Sequence, residues 1–151
     1  GKLMGKRARC TELIAAFVLA LLCFFGCAKE QKEANLQIVD SEFTIRQDSN
    51  LSYVLDAKGT IRNAGDVDVK NVRVTGYCRS CGSRIINAAW FVSDVEKMPN
   101  QMDVINYLAA GAQEDFEFEE VAFFSASTGS EEPQGVPEDV EIVIESYEIA
   151  D

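Results

Sequence analysis

Histidine is absent from all 151 residues. Ser-His-Asp and Cys-His nucleophile systems therefore cannot be assembled within the chain, nor can a zinc-hydrolase helix motif. Positive charge is also scarce: 14 lysines and arginines stand against 25 aspartates and glutamates, a formal charge of −11. Such a chain repels phosphate backbones, and it has no basic patch with interleaved aromatics, so no nucleic acid partner is expected. Long apolar runs are missing too. Leu13–Phe25 holds 13 apolar residues, and as a helix it reaches ~20 Å, short of the ~30 Å hydrocarbon layer of a bilayer.

What that short run does have is the right company. Lys6, Arg7 and Arg9 precede it and Gly26-Cys27 follows, giving the basic start, apolar core and small residue at the cut of a secretory signal. Phe24-Phe25-Gly26-Cys27 resembles the lipobox of bacterial lipoproteins, in which the cysteine after the cut carries diacylglycerol. The resemblance implies a signal peptide over 1–26, lipidation of Cys27, and an extracytoplasmic domain held at the surface of the cell membrane or outer membrane. Without 1–26 the chain keeps 10 basic and 24 acidic residues, a formal charge of −14. Residues 27–35 are polar, charged and without apolar period, and read as the lipidated cysteine with a flexible tether. The span 36–151 is enough for one domain with its own core.

From Leu36 onward apolar residues recur every second position. Leu36 and Ile38, then Phe43 and Ile45, form alternating runs, with Asp40-Ser41-Glu42 marking a bulge or bend between them. Tyr53, Leu55, Ala57, Gly59 and Ile61 share one side of a second strand, and Asn63-Ala64-Gly65-Asp66 supplies a turn in which Gly65 tolerates positive φ. Val69–Tyr77 is rich in β-branched residues. Ile85–Val95, with Trp90 and Phe91, reads as a longer buried strand, and Gln101–Leu108 as one or two helical turns. Asp115–Phe123 and Val140–Ile149 alternate again. If Val67–Val74 is one unbroken strand, Val67, Val69 and Asn71 lie on the face opposite Val72 and Val74. About seven such strands predict an all-β fold, an antiparallel β-sandwich.

Within it, Gly59, Asn63, Gly65, Val69, Asn71, Val72, Val74 and Tyr77 stand at the places of a "G-x-hydrophobic-x-N-x-G" strand and turn followed by "V-x-N-V-x-V" and an aromatic. Leu108-Ala-Ala-Gly111 then precedes Asp115-Phe-Glu-Phe118. This pattern resembles the FxLYD domain over roughly residues 36–124 and implies an immunoglobulin-like sandwich outside the cytoplasm.

Cys78-Arg79-Ser80-Cys81 is the one constellation with potential chemistry. An oxidising compartment favours a local disulfide. The sharper alternatives are a thiol-redox pair, which needs a device such as a helix N-terminus to lower a thiol pKa, and half of a zinc site, whose other half is missing. Neighbouring carboxylates such as Glu119 and Glu120 point to opposite strand faces and do not share a site. Residues 125–139 read as a long exposed loop. Trp90 and Phe91 face opposite ways, as do Phe123 and Phe124, with Trp90 expected in the core. Outer aromatics that lie together would mark a protein-binding face. The expected function is a non-catalytic binding or structural module of the cell envelope, without cofactor, attached to the membrane through Cys27 and meeting another envelope protein. The alternative is a redox or metal module centred on Cys78 and Cys81.

Overall fold

Period-two sequence forms strand throughout most of the described chain. The computed structural model describes residues 33–93 and 96–151, so the leader, Cys27 and most of the tether lie outside the described residues. Seven strands run in order: β1 (Leu36–Ser49), β2 (Ser52–Asn63), β3 (Val69–Cys78), β4 (Trp90–Phe91), β5 (Met102–Leu108), β6 (Gln113–Ser125) and β7 (Val140–Ile149). They form an antiparallel sandwich of two sheets, ordered β1-β2-β6-β4 and β5-β3-β7. The first order corresponds to the A-B-E-D sheet of immunoglobulin-like sandwiches. In the second, no strand lies beyond β7 among the described residues.

Two sequence expectations fail here. Ile85–Val95 is not one long buried strand: among its described residues only Trp90–Phe91 forms strand, and Ile85 and Ile86 are 72% and 60% exposed. The apolar run has no alternation to fix its faces, so composition alone suggested burial. Gln101–Leu108 is not helical either. A 3-10 turn occupies Pro99–Gln101, and Met102–Leu108 is strand β5, paired along its length with β3. Tertiary pairing overrides a weak local preference there.

The inner faces of β2, β3, β5 and β6 make the core. Leu55, Ile61, Val69, Val72 and Val74 are wholly buried, with Leu108, Phe116 and Phe118 packed among them. Val69 and Val72 share this face although three residues apart. Asn71, with φ of 51°, inserts a bulge that turns the strand between them. The unbroken strand expected through Val74 is thus corrected. A second bulge, between Ile38 and Asp40 of β1, falls beside the expected Asp40-Ser41-Glu42 segment. Its cause lies across the pairing. A Cβ on Gly59 would stand 2.3 Å from the Asp40 carbonyl oxygen and 2.6 Å from the Phe116 ring, so β1 leans on bare backbone there.

Asn63, the last residue of β2, is the largest buried polar commitment. Its side-chain N–H groups donate to the carbonyls of Val67 (2.7 Å) and Leu108 (3.1 Å), and its side-chain oxygen accepts from Gly65 N–H (3.1 Å). Its main chain joins the Ala109–Ala112 turn through Ala112 O and Gly111 N–H. The turn expected at Asn63-Ala64-Gly65 forms, but Gly111, not Gly65, takes the left-handed conformation, with φ of 80°.

Replacing Gly59 by alanine forces backbone apart and is expected to lower stability by about 1–3 kcal/mol. The Gly135→Ala control, where a Cβ meets nothing within 4 Å, should leave the urea midpoint almost unchanged. Asn63→Ala strands two carbonyls and an N–H at about 1–3 kcal/mol for each buried group left unpaired. A urea midpoint equal to that of the parent protein would contradict the role given to this side chain.

Candidate functional site

The connections at the two ends of the strands differ in character. At the end where the chain enters, Ala64 N–H donates to Asn35 O, and the Asn63–Val69 and Leu108–Gln113 turns close around the Asn63 amide. At the other end lie the Asn50–Leu51 turn, the segment 79–89 and the loop 126–139. Hydrogen bonds tie these three together: Ala126 N–H to Leu51 O (2.8 Å), Ala88 N–H to Ser125 O (2.8 Å), and Arg79 N–H to Asp139 O (2.7 Å). The loop 126–139 is held further by Trp90, whose indole N–H donates to Gly135 O (3.1 Å).

Cys78 and Cys81 are joined as a disulfide, with Cα atoms 5.4 Å apart. Cys78 ends β3 and is nearly buried, and Cys81 packs against the same core cluster. A closed loop this short stabilises by about 2 kcal/mol on the chain-entropy account. The pair follows a strand and precedes a turn, so no helix N-terminus lowers a thiol pKa. Among the described residues, no group of three His, Cys, Asp or Glu side chains is placed to hold a metal ion.

Beside the disulfide, the Tyr77 ring meets two cations. Arg79 lies 4.8 Å and Lys97 4.6 Å from its ring centroid. The phenol donates a hydrogen bond to the Glu145 carboxylate, and that bond, followed by desolvation, raises its pKa above the ordinary value. Lys97 donates to Gly76 O (2.8 Å), and its burial pushes its pKa down. Arg79 is held in turn by Glu141 at 2.6 Å. These groups brace one another across β3 and β7.

The aromatic pairs separate by face as expected. Trp90 meets Phe124 edge-on at 5.5 Å on the inner side, beside Tyr53, while Phe91 stacks on Phe123 at 5.8 Å on the outer side. Trp90 is only partly buried, because it lies at the margin of the sandwich under the 126–139 loop. Beyond these rings, Ile85, Ile86, Leu51 and Val136 are exposed on the three linked connections. Sequence reading missed Ile85 and Ile86 as surface residues. The turn formers Gly82-Ser83 before them and Asn87 after them were the available signal.

Compared with known proteins, the chain matches no family model, no curated protein and no solved structure.

Glu145→Gln removes the charged acceptor of the Tyr77 phenol. Because the folded-state pKa is raised, the stabilisation is fully present below about pH 10, the ordinary tyrosine value, and is lost as pH climbs through the raised one. Absorbance titration near 295 nm should show one phenol ionising at lower pH in the variant. An unchanged curve would remove Glu145 from that role.

Proposed function

We propose that this protein is a non-catalytic lipoprotein of the bacterial cell envelope, with an FxLYD-like sandwich held to the membrane by acyl chains on Cys27. Its loop end meets another envelope protein through Ile85, Ile86 and Leu51. The observation carrying this reading is the separation of the two ends. The chain enters at Ala34–Leu36, and the exposed isoleucines lie at the opposite end of the strands. β1 alone has 14 residues, or roughly 45 Å at about 3.3 Å per residue. A tether at one end leaves the other free to reach a partner. Burying an exposed isoleucine contributes about 1.5–3 kcal/mol, so two adjacent ones are enough to anchor a contact.

The disulfide supports the binding reading over the redox one. Its Cys78 half is buried in the core and its Cys81 half packs partly buried against it, which suits a cross-link that braces the base of the loop end.

Metabolic labelling with palmitate tests the anchor: label on the parent protein and none on Cys27→Ser is expected. A photo-crosslinker at Leu51 tests the loop end. It should trap a discrete partner, and the Ile85→Asp/Ile86→Asp variant should lose that product while a crosslinker at Ala64, near the chain entry, gives none. Equal products from both positions, or an unlabelled parent protein, would sink the proposal.

A further inference from the structure

The two sides of the sandwich are closed unequally. Along β5, hydrogen bonds bridge the sheets: Glu117 N–H to the Asp103 carboxylate (3.0 Å), Gln101 side-chain N–H to Glu120 O (2.9 Å), and Asn100 side-chain N–H to the Glu120 carboxylate (3.0 Å). Along the opposite side, β1 lies across from β7, and among the described residues no such bridge joins them. The side chains along this seam are incompletely covered. Leu36, Ile38, Phe43 and Ile45 of β1 and Val140, Ile142 and Ile144 of β7 are only partly buried, whereas the core valines of β3 are fully so.

The C-terminal half of β7 is more open still. Ile149 pairs with the fully buried Val69 and so belongs to the inner face, and Tyr147, two residues earlier, shares that face. They are nevertheless 46% and 45% exposed, so nearly half of each is open to solvent.

β7 also has a free backbone edge. Arg79 N–H donates to Asp139 O just before β7 begins, and Ala150 N–H donates to Asp68 O just after it ends. Alternation along an antiparallel ladder then turns the backbone groups of Val140, Ile142, Ile144, Tyr147 and Ile149 away from β3. Edge strands are usually protected by lysine, proline or outward charge. β7 contains neither lysine nor proline. Its acidic side chains reach back across β3 instead: Glu141 to Arg79, Glu145 to Tyr77 and Glu148 to Asn71. The edge is left bare.

We propose that this edge accepts an extended strand from a partner protein, apolar at alternate positions and carrying lysine or arginine between them. Main-chain hydrogen bonds to β7 supply the fit, and the inward apolar residues cover Ile142, Ile144, Tyr147 and Ile149. The outward basic residues lie beside Glu148, whose hydrogen-bond partner is the neutral Asn71 amide, and beside Glu145, which bonds the Tyr77 phenol and shares its charge with the nearby Lys97. The same charge argues against a second copy as occupant. Pairing β7 with β7 would bring two sets of these glutamates together in chains each of formal charge −11. This surface is distinct from the loop end, and its test does not depend on what happens there.

The test uses the full-length protein in non-ionic detergent with two peptides of about ten residues. One alternates valine with lysine; the other has the same composition with all lysines first. Fluorescence anisotropy should show binding of the alternating peptide only, with hydrogen exchange slowing at the amides of Ile142 and Ile144. Tyr147→Lys and Ile149→Lys, at positions exposed enough to leave the fold intact, should each weaken binding by roughly tenfold through a like charge at the edge. Equal binding of both peptides would mean charge attraction alone and overturn the proposal. So would unchanged affinity in the two variants, or no binding at about 1 mM peptide.

Discussion

The amide of Asn63 is the constraint on which the chain-entry end of the sandwich depends. One wholly buried side chain satisfies the carbonyls of Val67 and Leu108 and the N–H of Gly65. It thereby fixes the β2–β3 crossing and the end of β5 at one point. Because Val69, directly after that crossing, pairs with both Leu108 and Ile149, the register of the second sheet follows from the same residue. An apolar residue of similar size would fill the space and leave three buried groups unpaired, so packing alone does not choose asparagine here.

Bulges carry the next level of order. Three residues of β6, Glu119, Glu120 and Val121, stand opposite one residue of β2, Asp56. Glu120, with φ of 59°, makes this possible, and its N–H is met by the Asp56 carboxylate at 3.1 Å. Arg46 holds that carboxylate from β1 at 2.7 Å. The insertion turns Val121 inward onto Gly76, where a Cβ would come within 2.9 Å of it. An ion pair with both partners part-exposed contributes little by itself. Here its effect is geometric, because it keeps the acceptor in place for a strained backbone N–H.

Strands with runs of alternation long enough to stand out were legible as strand from sequence: β1 with its break near Asp40, β2, β3, β6 and β7, even though bulges interrupt the period in several of them. β5 was not, because Met102–Leu108 mixes polar and apolar residues without a clear period, and only its pairing with β3 makes it strand. The faces of β3 were read wrongly for a related reason: a single positive φ at Asn71 reverses the alternation, and residue type alone does not announce it. That Trp90 diverges from Phe91, and Phe123 from Phe124, was legible, since adjacent strand residues must diverge; that Phe91 meets Phe123 and Trp90 meets Phe124 follows only from the β4–β6 register. Exposure of Ile85 and Ile86 was not, because hydrophobicity argues for burial unless the turn formers around it are given more weight.

The loop end and the β7 edge offer different chemistry for a physical reason. At the loop end, three connections are hydrogen-bonded to each other, and the contact proposed there rests on the exposed side chains of Leu51, Ile85 and Ile86. Such a surface discriminates by shape and apolar area. Along β7 the unmet groups are main chain, spaced at the strand repeat. A partner there is selected by alternation and charge before the shape of any one side chain matters. The acidity of the chain would act on the two proposed contacts unequally: it would leave an isoleucine contact almost untouched, whereas at the edge it would favour a basic strand over a second copy of the protein. A domain with both surfaces can hold two partners at once, because the residues that form one are not among those that form the other.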